Sequence, residues 1–302
     1  MNNDARTVVW IAGSLLGIFG LIVIIWSGIA KARGQNVKTI WTRYLAWFLI
    51  APPLIIPLIW GRVPFIILMG FLSLLCFREY AHAVGLWRDK ALMWICYIGI
   101  ACIYGPIFGF EYGIFQAMPI YVIAFILTIP MHRDEYEHMI QKICLAVLGV
   151  VYFGWFFSHL AYLRNLSYGM LATFLLILLV ESNDACAYLW GMVFGKHKLI
   201  PRLSPNKTVE GMFGATISVV GLAFAFRFLI PFVSAAHLVV LAFAVSVFGM
   251  CGDLTISFIK RDLKIKDMGN LIPGHGGLLD RFDSIIFTAP IFFHFLRYLY
   301  GE

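Results

Sequence analysis

The sequence predicts an all-α, polytopic integral membrane protein of about ten transmembrane helices (nine to ten), and three observations carry that reading. Of the 302 residues, 61% are hydrophobic and 13% charged, whereas soluble domains run near ~25% charged. Apolar runs close to the ~20 residues that a bilayer requires recur along the whole chain. The runs are long and continuous, where a barrel needs short alternating strands, so their backbone groups must be satisfied within helices.

The first run, 7–30, is too long for the core of a secretory signal and has Asp4 ahead of it, so it reads as a spanning helix. The second, 44–60, holds Pro52, Pro53 and Pro57 and should be kinked or broken. Together with 64–82 it could form a re-entrant hairpin, which would change the count. Further runs follow at 91–110, 114–131, 140–163, 169–190, 210–232, 236–256 and 284–300. No internal repeat, low-complexity stretch or linker divides them. One integrated membrane domain is expected, with N-terminal transmembrane helices over 1–165 and a catalytic transmembrane region over 166–302.

The net charge of +7 is read as a record of orientation rather than of nucleic-acid binding, and no nucleic acid is expected as a partner. With the N-terminus outside, Arg6, Arg62, Arg164, Arg227 and Arg297 lie on the outer side, and the other eighteen of the 23 Lys and Arg lie on the inner side. That asymmetry follows the positive-inside rule. The six cysteines form no CxxC pair and sit in or beside apolar runs, as small core hydrophobes do.

Two polar stretches interrupt the C-terminal half. From Gly252 to Ser284 the chain reads GDLTISFIKRDLKIKDMGNLIPGHGGLLDRFDS. Such a load of charge is costly beside hydrocarbon and should face water, protein or ligand. Asp280 and Asp283 are three apart, so one helix face carries both, and Asp253 closes the preceding apolar run. Lys260, Arg261, Lys264 and Lys266 lie between. Carboxylates for a hard cation, with cations for phosphate oxygens, are the parts of a metal–phosphate site. Capping and ion pairing with Arg261 or Arg281 is the plainer alternative for these acids. His275 has no second His or Cys near it to complete a zinc site. Its Pro-Gly-His-Gly-Gly setting predicts a tight turn whose N–H groups could line an anion, and a purely structural His is the alternative.

The other stretch, ESNDACAYLWGMVFGKHKLIPRLSPNKTVEGMFG, runs from Glu181 to Gly214. Thr208 and Glu210 suit a helix start. A helix N-terminus with Lys207 beside it is also a natural phosphate seat. Asp184, at bilayer depth beside Asn183, is a functional candidate by position.

The first stretch resembles the signature of the phosphatidate cytidylyltransferases (CDP-diacylglycerol synthases). The pattern is met by Ser257, Lys260-Arg261, Lys266-Asp267, Pro273, His275-Gly276-Gly277, Asp280-Arg281 and Asp283, with every spacing kept. Ser204-Pro205-Asn206-Lys207-Thr208, followed by Glu210-Gly211, resembles a second element of the family, and the likeness covers about residues 181–290. Ala185 and Cys186 depart from the small or hydroxylated residue more usual after Asp184, and Glu181 is an additional acid.

The resemblance implies CTP plus phosphatidic acid giving CDP-diacylglycerol and pyrophosphate, with membrane lipids as surroundings and a homodimer as a compatible assembly. It implies Mg2+, with K+ as a candidate second cation. Asp253, Asp280 and Asp283 would hold the metal and, with Lys260 and Arg261, form the catalytic set. Asn183, Asp184, Ser204, Lys207, Lys266, Asp267, His275 and Arg281 would bind substrate. The implied setting is the bacterial inner membrane with both polar stretches facing the cytoplasm. Two other readings stand beside it. One is a CTP-dependent enzyme for a different lipid phosphate. The other is an ion-coupled transporter, against which the one-sided clustering of acids argues. The Asp-Gly-x-x-Ala-Arg motif of CDP-alcohol phosphotransferases is absent.

Overall fold

The computed structural model describes residues 3–32, 41, 51–134, 136–269 and 277–300 and divides into two compact units, Met1–Leu68 and Met69–Glu302. The first unit holds α1 (Asn3–Ala32), α2 (Ala51–Trp60) and the start of α3 (Arg62–Ala83). Along α1, Trp10, Ile18, Phe19 and Leu21 are exposed, as on a helix in contact with lipid. The proline-rich run expected at 44–60 is helical from Ala51 on, and residues 44–50 lie outside the described residues.

The second unit continues from α3 into α4 (Lys90–Phe108) and α5 (Tyr112–Arg133). Next, α6 (Met139–Gly149) passes through a π-helical segment, Val150–Phe156, into α7 (Phe157–Leu163). Then come α8 (Gly169–Phe194), a hairpin of β1 (Lys198–Ile200) and β2 (Ser204–Thr208), α9 (Val209–Ala225), α10 (Ala235–Asp262) and α11 (Leu279–Tyr300). Among the described residues, seven helical segments are long and apolar enough to cross a membrane, while α2 and α9 are shorter. Among the described residues each of the ten predicted runs overlaps a helix, and the all-α membrane class holds.

Four local features differ from the sequence expectation. The run 210–232 ends as a helix at Ala225, followed by a 3-10 turn at Arg227–Leu229, because Pro231 can neither donate to nor continue a helix. The run 236–256 extends to Asp262, so Lys260 and Arg261 ride on the last turn of α10 and not in a loop. In the same way α8 takes in the start of the second polar stretch, up to Phe194. The short antiparallel hairpin, with Lys198 opposite Thr208 and Ile200 opposite Ser204, was not anticipated.

Helices α8, α9, α10 and α11 pack in that order, and α11 also packs against α7. Glycines set the crossings, as small residues do where helices approach closely. A Cβ on Gly211 would meet the Ala187 carbonyl oxygen at 2.6 Å, and one on Gly252 would collide with the Asp283 carbonyl oxygen. The second crossing sets Asp253 directly beside the first turn of α11.

Candidate active site

The polar ends of α8, α10 and α11, the start of α9 and the β-hairpin enclose a cavity of about 420 Å3. Five carboxylates line it, Asp184, Asp253, Asp267, Asp280 and Asp283, with three cations, Lys207, Lys260 and Arg281. Asn183 and Ser204 line it too.

Each side chain is placed by a definite local device. At the end of the hairpin Thr208 caps α9, its hydroxyl accepting the Gly211 N–H at 3.1 Å. Glu210, one turn in, accepts the backbone N–H groups of Lys196 and His197 at 3.0 and 3.2 Å and pairs with the His197 ring at 2.6 Å. The hairpin is thereby held against the head of α9, and Lys207 reaches Asp253 of α10 at 2.6 Å. The same Asp253 accepts the Ser257 hydroxyl at 3.3 Å.

Helix α10 ends with Lys264 at φ 56, a left-handed position that usually takes glycine. The Ile265 N–H returns to the Lys260 carbonyl at 2.9 Å, which turns the chain back toward the cavity. Asp280 then gathers three donors. One oxygen takes the Lys260 ammonium at 2.7 Å, and the other takes the Met268 and Gly277 N–H groups, each at 3.1 Å. Asp283, 8% exposed, accepts the N–H of Ser284 at 2.8 Å, and the Ser284 hydroxyl donates to Asp184 at 2.9 Å. Asn183 is buried and accepts the Ser246 hydroxyl at 2.7 Å, which joins α8 to α10.

Asp184, Asp253 and Asp283 are within electrostatic reach of one another. Among the described residues no three His, Cys, Asp or Glu side chains are closed into a metal-holding group. Asp253 and Asp280 are each engaged by a lysine ammonium instead. The donor chemistry nonetheless fits a hard divalent cation, because five carboxylate side chains, all oxygen donors, line the cavity against three cationic ones.

Most of the site residues expected from the sequence therefore line this cavity. Ten expected site residues line it: Asn183, Asp184, Ser204, Lys207, Asp253, Lys260, Asp267, Asp280, Arg281 and Asp283. Arg261 does not. It is exposed, and its Nε donates to the Leu203 carbonyl at 3.3 Å, so it braces the hairpin from outside. Lys266 is exposed and also off the cavity wall. His275, with Pro273, Gly274 and Gly276, lies outside the described residues.

Two supporting residues come from the half of the chain expected to be mostly apolar helix. Tyr152, in the π segment, donates its hydroxyl to the Asp283 carbonyl at 3.3 Å. Glu79, at the end of α3, accepts the Leu278 and Leu279 N–H groups at 3.0 and 2.8 Å. An acid in the last turn of an apolar run was a signal for Glu79; nothing in the sequence marked Tyr152.

The cytidylyltransferase family matches this chain over residues 41–299. The uncharacterized protein YnbB of Escherichia coli (strain K12) is 40% identical over 164 residues, which are 51% of this chain and 55% of that protein. The phosphatidate cytidylyltransferase of Bacillus subtilis (strain 168) is 32% identical over 256 residues, 80% of this chain and 91% of that protein. The phosphatidate cytidylyltransferase of Staphylococcus saprophyticus is 35% identical over 162 residues, 53% of this chain and 61% of that protein. The alignment thus spans somewhat more than half of two of these relatives and nearly all of the third. With the family matched over most of its length, the chain belongs to the cytidylyltransferase family.

Proposed function

We propose that the chain is a phosphatidate cytidylyltransferase, forming CDP-diacylglycerol and pyrophosphate from CTP and phosphatidate. The observation that carries this reading is the cavity where Asp184, Asp253, Asp280 and Asp283 face Lys207, Lys260 and Arg281 at the polar ends of apolar helices. Such a place admits a water-borne nucleotide and a membrane-borne lipid head together. The relatives named for this reaction support it.

In the reaction a phosphate oxygen of the lipid attacks the α-phosphorus of CTP, the bond to the β-phosphate oxygen breaks, and pyrophosphate leaves with that oxygen. The second pKa of a phosphate monoester is near ~6, so the nucleophile is already a dianion at neutral pH and no strong general base is needed. The difficulty is repulsion between two anions. Lys207, Lys260 and Arg281 are placed to offset it and to stabilise charge on the leaving pyrophosphate. Asp253, Asp280 and Asp283 would hold Mg2+, which supplies further neutralisation of the phosphate oxygens. The site faces the cytoplasm, where CTP is.

A second reading is the same transfer to a different lipid phosphate. It is favoured by the likeness to an uncharacterized relative and by the departures at Glu181, Ala185 and Cys186. The deciding measurement is pyrophosphate and CDP-lipid formation by purified protein given CTP and a panel of lipid phosphates. Phosphatidate should be preferred, and Asp280→Asn should lose at least about a hundredfold in turnover, because a charged, multiply bonded carboxylate is removed from the reacting centre. Preference for another lipid would establish the second reading. Failure to release pyrophosphate with any lipid would remove both.

A further inference from the structure

Glu79 has no part in the chemistry proposed above, yet it is 6% exposed and its carboxylate is fully engaged 199 residues away in sequence. Its two oxygens accept the N–H groups of Leu278 and Leu279 at 3.0 and 2.8 Å. A helix leaves its first N–H groups without intrahelical partners, and a carboxylate there also meets the positive end of the helix dipole. The contact is close on two sides. A Cβ on Gly269 would press on one Glu79 oxygen, and one on Gly277 would lie 2.7 Å from the other, so a side chain at either position would crowd the Glu79 carboxylate. One turn earlier on α3, Cys76 is within electrostatic reach of both Glu79 and Asp283. The end of α3 thus stands against the first turn of α11, directly behind the two carboxylates that α11 sends into the cavity.

We infer that Glu79 is a positioning residue of the active site. Its carboxylate holds the first turn of α11, and through it Asp280 and Asp283, in register with Asp253 and Lys260 of α10. With Asp280, which takes the N–H groups of Met268 and Gly277, it draws Gly269 and Gly277 together on either side of the intervening residues. Glutamine cannot replace it, because its amide nitrogen would face an N–H donor and the charge at the helix start would be lost.

The test compares full-length purified protein with Glu79→Gln and with Ser73→Ala. Ser73 is a control on the same helix, buried, with its hydroxyl donated to the Phe153 carbonyl and no bond to α11. Hydrogen exchange at Leu278 and Leu279 should quicken roughly ten- to a hundredfold in Glu79→Gln and stay unchanged in Ser73→Ala. The kinetic arm rests on the cytidylyl-transfer reading. There kcat should fall at least about tenfold in Glu79→Gln, while Ser73→Ala, of similar thermal midpoint, keeps the parent kcat. If Glu79→Gln does not fold, Glu79→Asp carries the same comparison, since it keeps the charge but shortens the reach. Unchanged exchange at 278–279, or equal loss of kcat in the two variants at matched stability, would overturn the inference. If the parent protein itself forms no CDP-lipid, the transfer reading fails, and the exchange arm still decides the place of Glu79.

Discussion

Lys260 pairs with Asp280 at 2.7 Å, and its side chain is 16% exposed. A cation in that partly dry position contributes far more to holding phosphate than one in open water, where salt screens it. Lys260→Ala should lower kcat/KM for CTP roughly ten- to a hundredfold, which corresponds to about 1.5–3 kcal/mol for one charge-assisted contact. Lys90→Ala, at an exposed lysine that starts α4, should leave it unchanged. Indistinguishable kinetics in the two variants would make the basic residues of α10 an orientation signal only.

Among the elements, the crossing of α10 and α11 is the most sensitive to volume. Gly252 abuts the Asp283 carbonyl, the Ser284 Cα and the Phe287 Cβ, so even one methyl group must push the helices apart. Gly252→Ala should separate Asp253 from Asp280 and Asp283 by a fraction of an ångström. It should cost about tenfold or more in turnover, since small displacements of reacting groups are expensive. Steady-state kinetics on folded protein checks this, and full activity would show that the crossing can yield.

A second junction is electrostatic. Asp89 caps α4 through the Leu92 N–H at 3.2 Å, takes both terminal nitrogens of Arg133 from the end of α5 at 2.8 and 2.9 Å, and lies 3.7 Å from Lys142 of α6. The Arg133 hydrogen bonds above all hold its carboxyl below the usual 3.8, against the opposing effect of burial. A lowered folded-state value means that the stabilisation is complete above the unfolded value and is lost as pH falls through the folded one. At neutral pH Asp89→Asn should therefore unfold at lower temperature than the parent, and the gap should close in acid below about pH 4. Thermal midpoints taken across that range would show it, and a gap independent of pH would assign the effect to the cap alone.

At the largest scale, the charged side chains of four helices collect around one cavity. The end of α8, the start of α9, the end of α10 and the start of α11 all reach the same cavity. Helices that run up and down can share an end only if the polar stretches 191–209 and 257–283 lie on one side of the membrane. On the orientation we propose from the charge count, that side is the cytoplasm. Single cysteines in each stretch, in a background freed of native cysteines, should stay unlabelled by an impermeant reagent in intact cells and become labelled after permeabilisation. Labelling of 191–209 from outside would reverse the orientation.

The class of fold and most of the polar residues that line the cavity were legible in the sequence because both are local properties. Hydrocarbon demands long apolar helices, and acids placed among them are too costly to be incidental. Hence each predicted run overlaps a helix among the described residues, and Asp253, Asp280 and Asp283 share one cavity as their spacing suggested. What only the tertiary structure decided are relations between distant segments. Arg261 and Lys266 sit in the same signature as Lys260, but the last turn of α10 and the return at Lys264 direct only Lys260 inward. The roles of Glu79 and Tyr152 exist only once α3 and the π segment stand against the first turn of α11. No periodicity along the chain records such a contact, because a hydrogen bond depends on three-dimensional distance and not on separation in sequence.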